Sequence, residues 1–600
     1  MFDTYRKLLG LLTPRERRSF FLVLLLVLAM GFVETVGVAA IVPFMLVLAD
    51  PAAIERHAVL ADVYAALHFT DPHTFMMFLG GVVFVIVVGG LLFKAFAFYA
   101  VYRFTMMRSY TISNRMLRGY LFQPYTWFLN RHSAEIGANI LGDVAKVTTK
   151  ALLPAMKVLT YGTVVTGLVA LLVLVRPAVA VAAAGLLGGS YVLIYVFVRK
   201  YLHRLGHERH LANRARFQIA GEALGGIKDV KLLGLEDEFL DRYRKPALQV
   251  SRHDATSTIL ADLPHYLLEA VAFGGMLAFV LVLLVTGSGS LAAIVPILAV
   301  YAFAAVRIFP ALQRIYNSLA QMRFAQPTLD RLYDDMKAAE ANMSTLPPRR
   351  KDAPTLRLGE ELALEEVHYA YPLAERPALR GMSLVIPARS TVGIVGGTGA
   401  GKTTAIDVVL GLLTPDAGRL LVDGVPIVPE NRAAWQRSIG YVPQQIFLTD
   451  DTVSANIAFG LDAAGIDQAA VERAARIAEI HDFILAEMPQ GYATPVGERG
   501  VRLSGGQRQR IGIARALYHD PDVLILDEAT SALDNLTEKA VMDAVHNRGH
   551  AKTIIMIAHR LSTVRDCDTI FMLENGRVVA AGAYDDLIET SRKFRALAGA

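Results

Sequence analysis

Nine consecutive residues in the second half of the chain have the types and spacing of a loop that binds phosphate. The pattern is G-x-x-x-x-G-K-T followed by a further threonine, and its residues are Gly396, Gly397, Thr398, Gly399, Ala400, Gly401, Lys402, Thr403 and Thr404. Glycines allow the backbone to approach a polyphosphate closely, and backbone N–H groups together with the start of a following helix attract its negative charge. Lys402 is long enough to reach the β- and γ-phosphates, and the hydroxyl of Thr403 can ligate Mg²⁺. We therefore predict that this loop binds ATP or GTP.

The sequence on either side of this loop fits phosphate binding. Residues 391–395 form an apolar run that is typical of a buried strand, and residues 405–413 predict a helix. Strand, glycine loop and helix in this order are the context that a nucleotide-binding loop requires. A glycine-rich turn that contains a lysine by chance would need neither the preceding strand nor the following helix. Because both are predicted here, we favour the nucleotide-binding interpretation.

Two acidic residues downstream follow a second apolar run, at residues 523–526. Asp527 can hold the shell of a Mg²⁺ ion, and the carboxylate of Glu528 can polarise an attacking water. Together with the phosphate loop, this pair predicts hydrolysis of the nucleotide in addition to its binding.

A third segment predicts a second helix start that binds phosphate. Its residues are Leu503, Ser504, Gly505, Gly506 and Gln507, and we expect the helix to open after the glycine pair. Two such helix starts in one domain do not easily serve one nucleotide within one chain. They make sense if a second copy docks head to tail, so that each copy completes the other's site.

The first half of the chain has the composition of a membrane domain. Over all 600 residues, 54% are hydrophobic and 19% are charged, with a mean hydropathy of +0.40, which is too apolar for an ordinary soluble enzyme. A bilayer-spanning helix takes about 20 apolar residues. Six runs reach about that length, at residues 20–49, 75–100, 152–175, 178–198, 267–285 and 291–309. A single run could be a buried helix of a soluble protein, but six in succession predict six membrane spans.

Basic residues indicate which ends of the spans face the cytoplasm. They cluster before the first run and after the second and fourth, whereas the remaining turns are short and almost uncharged. This pattern predicts that both termini are cytoplasmic. The net charge of +5 is small for this length and does not suggest a nucleic-acid partner. The single cysteine, Cys567, excludes an internal disulfide and fits a reduced cytoplasmic setting.

The chain is expected to divide into two domains. We predict a transmembrane domain of residues 1–340, a linker of residues 341–356 and a nucleotide-binding domain of residues 357–600, in which strand-like and helical stretches alternate. The two cytoplasmic connections within the first domain are long and predict helices that continue below the membrane. Their stretches 123–130 and 217–228 either contact the ATPase domain or belong to solvated helical hairpins.

A short segment between the first two spans predicts an amphipathic helix on the outer face. Asp50 and Pro51 are typical of a helix start, and the segment 70–72 ends the pattern. Its apolar residues recur at helical spacing, and they are Leu60, Val63, Tyr64 and Leu67. The helix either lies on the membrane or packs on the spans as an ordinary loop helix.

The order of these motifs resembles that of ABC exporters of the half-transporter type, in which six spans precede an ATP-binding cassette. The resemblance covers the whole chain. It implies a membrane α-helical domain of six spans fused to an α/β P-loop ATPase domain, with ATP and Mg²⁺ as cofactors. It also implies that ATP hydrolysis is coupled to transmembrane transport.

The same resemblance implies roles for residues outside the phosphate loop. Tyr371 corresponds to the residue that stacks on adenine, and Gln444 to the glutamine that senses Mg²⁺ and faces the membrane domain. Asp534 matches the loop that crosses the dimer interface, and His559 matches the histidine that contacts the γ-phosphate. No motif is degenerate, and Glu528 is present. This favours a homodimer with two active sites.

A shorter similarity concerns the substrate. Residues 32–35 (F-V-E-T) and 41–44 (I-V-P-F), followed by the outer helix, resemble the flippases that move lipid-linked oligosaccharides in bacterial N-glycosylation. This implies translocation of a polyisoprenyl-pyrophosphate glycan from the inner to the outer leaflet of a bacterial inner membrane. It also links the outer helix to the polyisoprenoid tail and basic cavity residues to the pyrophosphate. A generic lipid or multidrug exporter, or an ATP-gated channel or regulator on the same fold, remains as an alternative.

Three basic residues within the spans are candidates for the pyrophosphate site. Lys94, His265 and Arg307 lie roughly 24–30 Å from the outer ends of their spans, if each residue of a helix rises by about 1.5 Å. Charges inside a membrane usually face a cavity or a partner. We expect Arg307 to contribute most, because its planar guanidinium can hold phosphate through two hydrogen bonds. The alternative is that Glu34 and Glu269, at comparable depth, neutralise these cations.

Overall fold

The computed structural model describes residues 2–131, 133–175, 177–286, 291–345, 354–372, 374–497, 500–528, 552–558 and 561–598. The chain separates into two compact units. The first comprises Met1–Gln123 and Arg131–Met343, and the second comprises Pro124–Asn130 and Ser344–Ala600.

The first unit is built from helices. Its long helices are Pro14–Ala39, Pro72–Leu121, Leu153–Val175, Pro177–Gly225, Glu236–Thr286 and Leu291–Thr345. Its shorter helices are Phe2–Leu11, Ile41–Ala49, Ala53–Arg56, Ala58–Ala66, Ser133–Ala138, Val144–Val147 and Ile227–Leu233. Two π-helical segments lie at Asn139–Asp143 and Thr148–Leu152.

Several of these helices are long enough to cross a bilayer. Within the described residues, the stretches Pro14–Leu48, Pro72–Leu121 and Glu135–Leu174 are also sufficiently apolar. The other three predicted runs lie in the helices that begin at Pro177, Glu236 and Leu291. Helix Pro72–Leu121 has 50 residues, or about 75 Å, against about 30 Å of hydrocarbon. It therefore continues well beyond its apolar run.

Small residues bring the first and third predicted spans close together. A Cβ atom added to Gly167 would lie 2.2 Å from the Thr35 hydroxyl oxygen, and one added to Gly31 would lie 2.7 Å from that of Thr163. Helix Pro14–Ala39 and helix Leu153–Val175 thus approach through glycines, as is usual where helices pack in lipid.

The first apolar run forms two helices and not one. Helix Pro14–Ala39 begins with a capping box in which Thr13 and Glu16 bond each other's backbone N–H groups, and Pro14 occupies the first helical position. The helical pattern is interrupted at Ala40, and a second helix follows at Ile41–Ala49. The break precedes Pro43, whose ring disfavours a continuous helix through the preceding turn.

The outer segment also differs from the single amphipathic helix predicted there. It forms Ala53–Arg56 and Ala58–Ala66, so Asp50 and Pro51 precede the first helical residue and Leu67 follows the last. Leu60 is buried and Tyr64 half-buried, and both pack with Val47, Ile54 and Phe75. Val63 and Leu67 are exposed. Half of the predicted apolar face therefore packs on the protein.

The second unit combines two sheets with surrounding helices. Its described strands are β1 (Glu361–Tyr369), β2 (Leu379–Pro387), β3 (Thr391–Gly396), β4 (Ala417–Val422), β5 (Val425–Pro426), β6 (Ile439–Val442), β7 (Val523–Asp527), β8 (Thr553–Ile557), β9 (Thr569–Glu574) and β10 (Arg577–Gly582). Its described helices are Tyr125–Leu129, Lys402–Val409, Arg432–Gln436, Val453–Ile457, Gln468–Ile477, His481–Glu487, Gly505–Leu517, Tyr584–Thr590 and Arg592–Ala598. Short 3₁₀ turns lie at Ala463–Gly465, Gly491–Ala493 and Leu561–Val564.

The larger sheet determines where the chemistry lies. Its order is β10-β9-β3-β8-β7-β6, and every neighbouring pair is parallel except β10 with β9. Strands β3, β7 and β8 are apolar and almost entirely buried, as expected for a parallel sheet covered on both faces. Ligands of such sheets bind at the carboxyl ends of the strands. The phosphate loop follows β3, and Asp527 ends β7, at this same edge.

Candidate ATPase site and charged groups of the helical unit

Two glycines of the phosphate loop hold conformations that other residues rarely adopt. Gly396 has φ +155°, and a Cβ there would lie 2.3 Å from the carbonyl oxygen of Leu573. Gly401 has φ +101°, and a Cβ there would lie 3.0 Å from the carbonyl oxygen of Ala378. The helix then begins at Lys402. The loop is thus a tight turn that leads into a helix N-terminus, which is the geometry of a phosphate cradle.

Lys402 is folded back over this loop. Its side-chain ammonium donates to the carbonyl oxygens of Gly396 at 2.7 Å and Gly397 at 3.2 Å, and the residue is 7% exposed. Burial lowers the pKa of Lys402, while the carboxylates of Glu528 and Asp527 act in the opposite direction. Among the described residues its hydrogen bonds go to carbonyl oxygens, and a cation in this position is well suited to a polyphosphate.

The two carboxylates at the carboxyl end of β7 are held by partners from a neighbouring strand and loop. The hydroxyl of Tyr441 donates to Asp527 Oδ2 at 3.3 Å, and Gln444 Nε2 donates to Glu528 Oε2 at 2.8 Å. Glu528 has φ +49°, which is uncommon for a residue other than glycine and typical of functional sites. Its backbone N–H bonds the carbonyl oxygen of Ile557 at 3.1 Å. The structure thus brings together Gln444, Asp527 and Glu528.

Two residues of this site were not found from the sequence. Tyr441 lies on β6, next to β7 in the sheet, and strand order is not visible in the chain. Asp407 lies on helix Lys402–Val409, where burial and the charge of Asp527 raise its pKa to about 6. A carboxylate within an otherwise apolar stretch of this helix was the signal that could have identified Asp407.

Tyr371 lies beside Thr404, the last residue of the phosphate loop. The hydroxyl groups of Tyr371 and Thr404 are 3.1 Å apart, and the ring of Tyr371 meets that of Tyr369 edge-on with 5.1 Å between centroids. Thr403 is exposed. An aromatic ring at this distance from the loop is compatible with the adenine-stacking role implied by the resemblance.

The second predicted helix start exists, with a different first residue. The helix is Gly505–Leu517 and Ser504 is its N-cap, so the glycine pair lies inside the first turn and not before it. The hydroxyl of Ser504 accepts from the N–H of Gln507 at 3.2 Å, and the side-chain oxygen of Gln507 accepts from the N–H of Ser504 at 2.8 Å. Ser504 and Gly505 are exposed. Asp534 and His559 lie outside the described residues.

Two of the three basic residues predicted within the spans meet at one carboxylate. Lys94 Nζ lies 2.7 Å and Arg307 Nη1 lies 3.0 Å from the same oxygen, Oε1 of Glu34. His265 faces Glu269 one turn along its own helix, with 3.5 Å between Nε2 and Oε2. The charges therefore form one triad and one separate pair.

A cavity of about 550 Å³ in the first unit is lined by two further cationic residues, Lys157 and Arg314. Lys157 Nζ lies 5.4 Å from the ring centroid of Tyr102. Arg314 stacks over Tyr161, at 5.0 Å from the centroid, and donates to its hydroxyl. Among the described residues, neither cation is within ion-pair distance of a carboxylate. Aromatic faces partly compensate these two charges.

Comparisons with known proteins agree with this architecture. The ABC transporter family matches residues 379–531, and the ABC transporter transmembrane region matches residues 19–252. The chain is 34% identical over 479 residues to the ATP-dependent lipid A-core flippase of Saccharophagus degradans, covering 78% of each protein. It is 32% identical over 403 residues to the protein of that name from Cupriavidus pinatubonensis, covering 67% of each. A solved structure of a bacterial Atm1-family ABC exporter with ATP bound matches with a TM-score of 0.73 at 26% identity, over 97% of each chain.

A helical membrane domain joined to a P-loop domain, in which Lys402, Asp527 and Glu528 lie at one edge of the sheet, defines a transport ATPase. The chain belongs to the ABC transporter family, and it is a half-transporter of the exporter type that binds and hydrolyses ATP. The predicted fold class and ATPase activity are confirmed. A half-transporter of this fold functions as a dimer within a membrane.

Proposed function

We propose that this protein is a flippase that uses ATP to move a polyisoprenyl-pyrophosphate-linked oligosaccharide from the inner to the outer leaflet of a bacterial inner membrane. The observation that carries this proposal is the cavity with Lys157 and Arg314, which holds cations without carboxylate partners among the described residues. A diphosphate headgroup would compensate such cations through charge-assisted hydrogen bonds. The similarity to two proteins named as lipid flippases supports a lipid substrate.

The composition of the cavity also suits the glycan and the tail. Gln313 offers amide groups for sugar hydroxyls, whereas Asn317 already donates to Asp262 and accepts from Gln321 and would keep only part of its hydrogen-bonding capacity for a sugar. Phe98 and Tyr102 offer apolar faces. A drug-sized apolar substrate would leave the two cations unpaired, so a generic multidrug exporter is less favoured.

In the proposed ATPase cycle, the backbone of residues 396–401 and Lys402 hold the phosphates, and Tyr371 stacks on adenine. Thr403, Gln444 and Asp527 offer the oxygen donors that Mg²⁺ prefers, and the ion would neutralise charge on the β- and γ-phosphates. Glu528 accepts a proton from the attacking water.

Three further groups in this cycle come from the resemblance. His559 contacts the γ-phosphate and Asp534 lies at the dimer interface. The exposed start of helix Gly505–Leu517 completes the nucleotide site of a second, identical copy. We therefore propose a homodimer with both termini cytoplasmic.

The cavity cations are expected to be needed for translocation. Replacing Arg314 or Lys157 by alanine should lower the rate by about tenfold or more, because each loses a charge-assisted contact to phosphate. We would measure ATP-dependent translocation of a fluorescent lipid-linked oligosaccharide in proteoliposomes, with phospholipids and unrelated drugs as competing cargo. Arg242→Ala is the matched control, because Arg242 is exposed and paired with Glu222. Wild-type rates in both cavity variants would refute the proposed site.

The outer helix gives a separate test. Replacing the exposed Val63 and Leu67 by serine should slow translocation several-fold if they guide the isoprenoid tail, because burial of that tail contributes about 0.8 kcal/mol per CH₂ group. Replacing the buried Leu60 by serine should instead lower thermal stability, at a cost of about 2–4 kcal/mol. Val59→Ser is the control on the same helix, since Val59 is 75% exposed. Equal translocation by the Val63/Leu67 variant and the control would exclude tail guidance.

A second candidate substrate is a phosphorylated glycolipid with acyl chains, favoured by the names of the relatives at 34% and 32% identity. Both substrates have a phosphate headgroup and differ in the tail and the sugars. The proteoliposome assay distinguishes them when lipid A replaces the lipid-linked oligosaccharide as the labelled cargo.

A further inference from the structure

The triad of Glu34, Lys94 and Arg307 combines features that a purely structural ion pair would not need. Both cations approach one oxygen, Glu34 Oε1. The other oxygen, Oε2, is buried and accepts no hydrogen bond from the described residues. A carboxylate with a permanent structural role usually satisfies both oxygens, because an unpaired buried acceptor costs about 1–3 kcal/mol.

The charges of the triad do not balance. Two cations face one carboxylate, so the group carries a net positive charge inside the apolar part of the first unit. A charge in this environment is costly unless a counter-ion is nearby. The triad therefore favours a second anion.

The burial of the three side chains is unequal. Only 7% of the Glu34 side chain is exposed, against 25% for Lys94 and 30% for Arg307. An anion that approaches the triad thus meets the two cations before it meets the carboxylate. Lysine and arginine also have more donors than their single bonds to Glu34 use, with three N–H groups on lysine and five on arginine.

The space around the triad is filled in this conformation. The cavity beside it measures about 20 Å³, which is enough for about one water molecule and too little for a phosphate group. Gly37 and Gly90 line this cavity, and a Cβ added to Gly37 would meet no atom of the described residues within 4 Å apart from the neighbouring backbone of its own helix. A phosphate can therefore enter the space between both cations only if the carboxylate of Glu34 moves aside, and the missing side chain at Gly37 leaves room for that movement.

We propose that Glu34 is an internal counter-anion that occupies a second anion subsite, separate from the cavity of Lys157 and Arg314, and that the diphosphate group of the substrate displaces it from Lys94 and Arg307 at another stage of its passage across the membrane. This rests on the proposed function, because it takes the substrate to be a phosphate-headed lipid. Glu34 then acts as a specificity-determining residue. A lipid without a phosphate cannot replace the carboxylate, so it leaves the triad closed, whereas a diphosphate exchanges one anion for another.

The test compares two amphiphiles that differ only in the headgroup, with the full-length protein reconstituted in nanodiscs of uncharged lipid. The stimulation of ATP hydrolysis is measured as a polyprenyl diphosphate or the matching polyprenol is added. Glu34→Gln keeps the size of the side chain and removes its charge. We expect the half-stimulating concentration of the diphosphate to fall about tenfold in this variant, while the response to polyprenol stays as in the wild type.

Two further variants make the comparison decisive. Glu269→Gln is the matched control, since it neutralises another carboxylate of the first unit that pairs with His265, and it should not shift the diphosphate response. Glu34→Asp keeps the negative charge, but its side chain is shorter by one methylene group and places the charge farther from Lys94 and Arg307. The half-stimulating concentration of the diphosphate should therefore fall in this variant too, but by less than in Glu34→Gln. This variant decides the question if the glutamine variant does not fold.

The outcomes separate the two proposals. If diphosphate stimulates the wild type more than polyprenol does but no Glu34 variant shifts the response, the counter-anion inference is wrong and the proposed function stands. A shift that is equal for both amphiphiles also overturns the inference. If the wild type does not distinguish the two amphiphiles, the proposed function fails and the inference fails with it.

A soluble probe identifies the source of the diphosphate. ATP hydrolysis stimulated by polyprenyl diphosphate is measured while inorganic pyrophosphate is added as a competitor at constant free Mg²⁺. Competition that is stronger in Glu34→Gln than in the wild type supports a subsite that also takes the free anion. Absence of competition in both proteins, together with the shift for the amphiphile, supports a subsite that takes only the lipid-borne group.

Discussion

Replacing Glu528 by glutamine should lower ATP turnover by about a hundredfold or more and leave nucleotide affinity close to that of the wild type. A positioned general base contributes about 10²–10⁴-fold to such a reaction. In the variant, the amide can still meet Gln444, which lies 2.8 Å from the present carboxylate, but it no longer accepts a proton. Asp527 remains available for Mg²⁺. ATP should therefore bind and hold the two nucleotide-binding domains of a dimer together.

The measurement is steady-state phosphate release beside a fluorescence titration of nucleotide binding. Glu479→Gln is the matched control, because Glu479 also has a positive φ, of +52°, so the same substitution is made in the same backbone conformation. Its turnover should stay close to that of the wild type. Wild-type turnover in Glu528→Gln would mean that the attacking water is activated elsewhere.

Replacing Lys402 by methionine should weaken nucleotide binding itself, whereas Glu528→Gln should leave binding intact and lower only turnover. We expect the nucleotide affinity to fall by about a hundredfold and turnover to fall with it, because removing one partner of a buried charge-assisted contact costs about 2–5 kcal/mol. The methionine side chain can occupy the volume of the lysine stem, which is 7% exposed, so the loop should keep its shape.

Nucleotide titration and thermal unfolding together test this expectation. Lys552→Met is the control, since Lys552 precedes β8 at the opposite edge of the same sheet, where it pairs with Asp520. It should lower stability slightly without changing affinity for ATP. Unchanged affinity in Lys402→Met would show that the backbone of the loop alone holds the phosphates.

The phosphate loop could be predicted from sequence because its information is local. Nine neighbouring residues specify the turn, the helix start and the lysine, and the structure has them at residues 396–404. The partners of Asp527 and Glu528 could not be predicted in the same way. Tyr441 contacts Asp527 because β6 pairs with β7, although about 80 residues separate them in the chain. Asp407, on the helix after β3, is close enough to Asp527 for its pKa to be raised by that charge, across a sheet order in which β8 separates β3 from β7.

The membrane half shows a similar limit. Apolar runs predicted where the long helices lie, but they did not reveal the break at Ala40 or the two short helices of the outer segment. Depth along the spans correctly suggested that Lys94 and Arg307 are close. It also named Glu34 and Glu269 as alternative partners of these cations, and the structure contains those ion pairs. Depth alone could not assign each cation to its carboxylate, because the direction of a side chain around a helix depends on packing. His265 lies at similar depth and faces Glu269 instead.

The unbroken length of helix Pro72–Leu121 has a mechanical consequence. It has no proline after its first residue, so it behaves as a stiff rod of about 75 Å. A tilt of about five degrees around one end moves the other end by about 6 Å, roughly the width of a sugar ring or a phosphate group. Leverage of this kind converts a small slip between packed side chains at one end into a wide opening at the other. Under the proposed function, such an opening would admit a bulky headgroup without unfolding the helix.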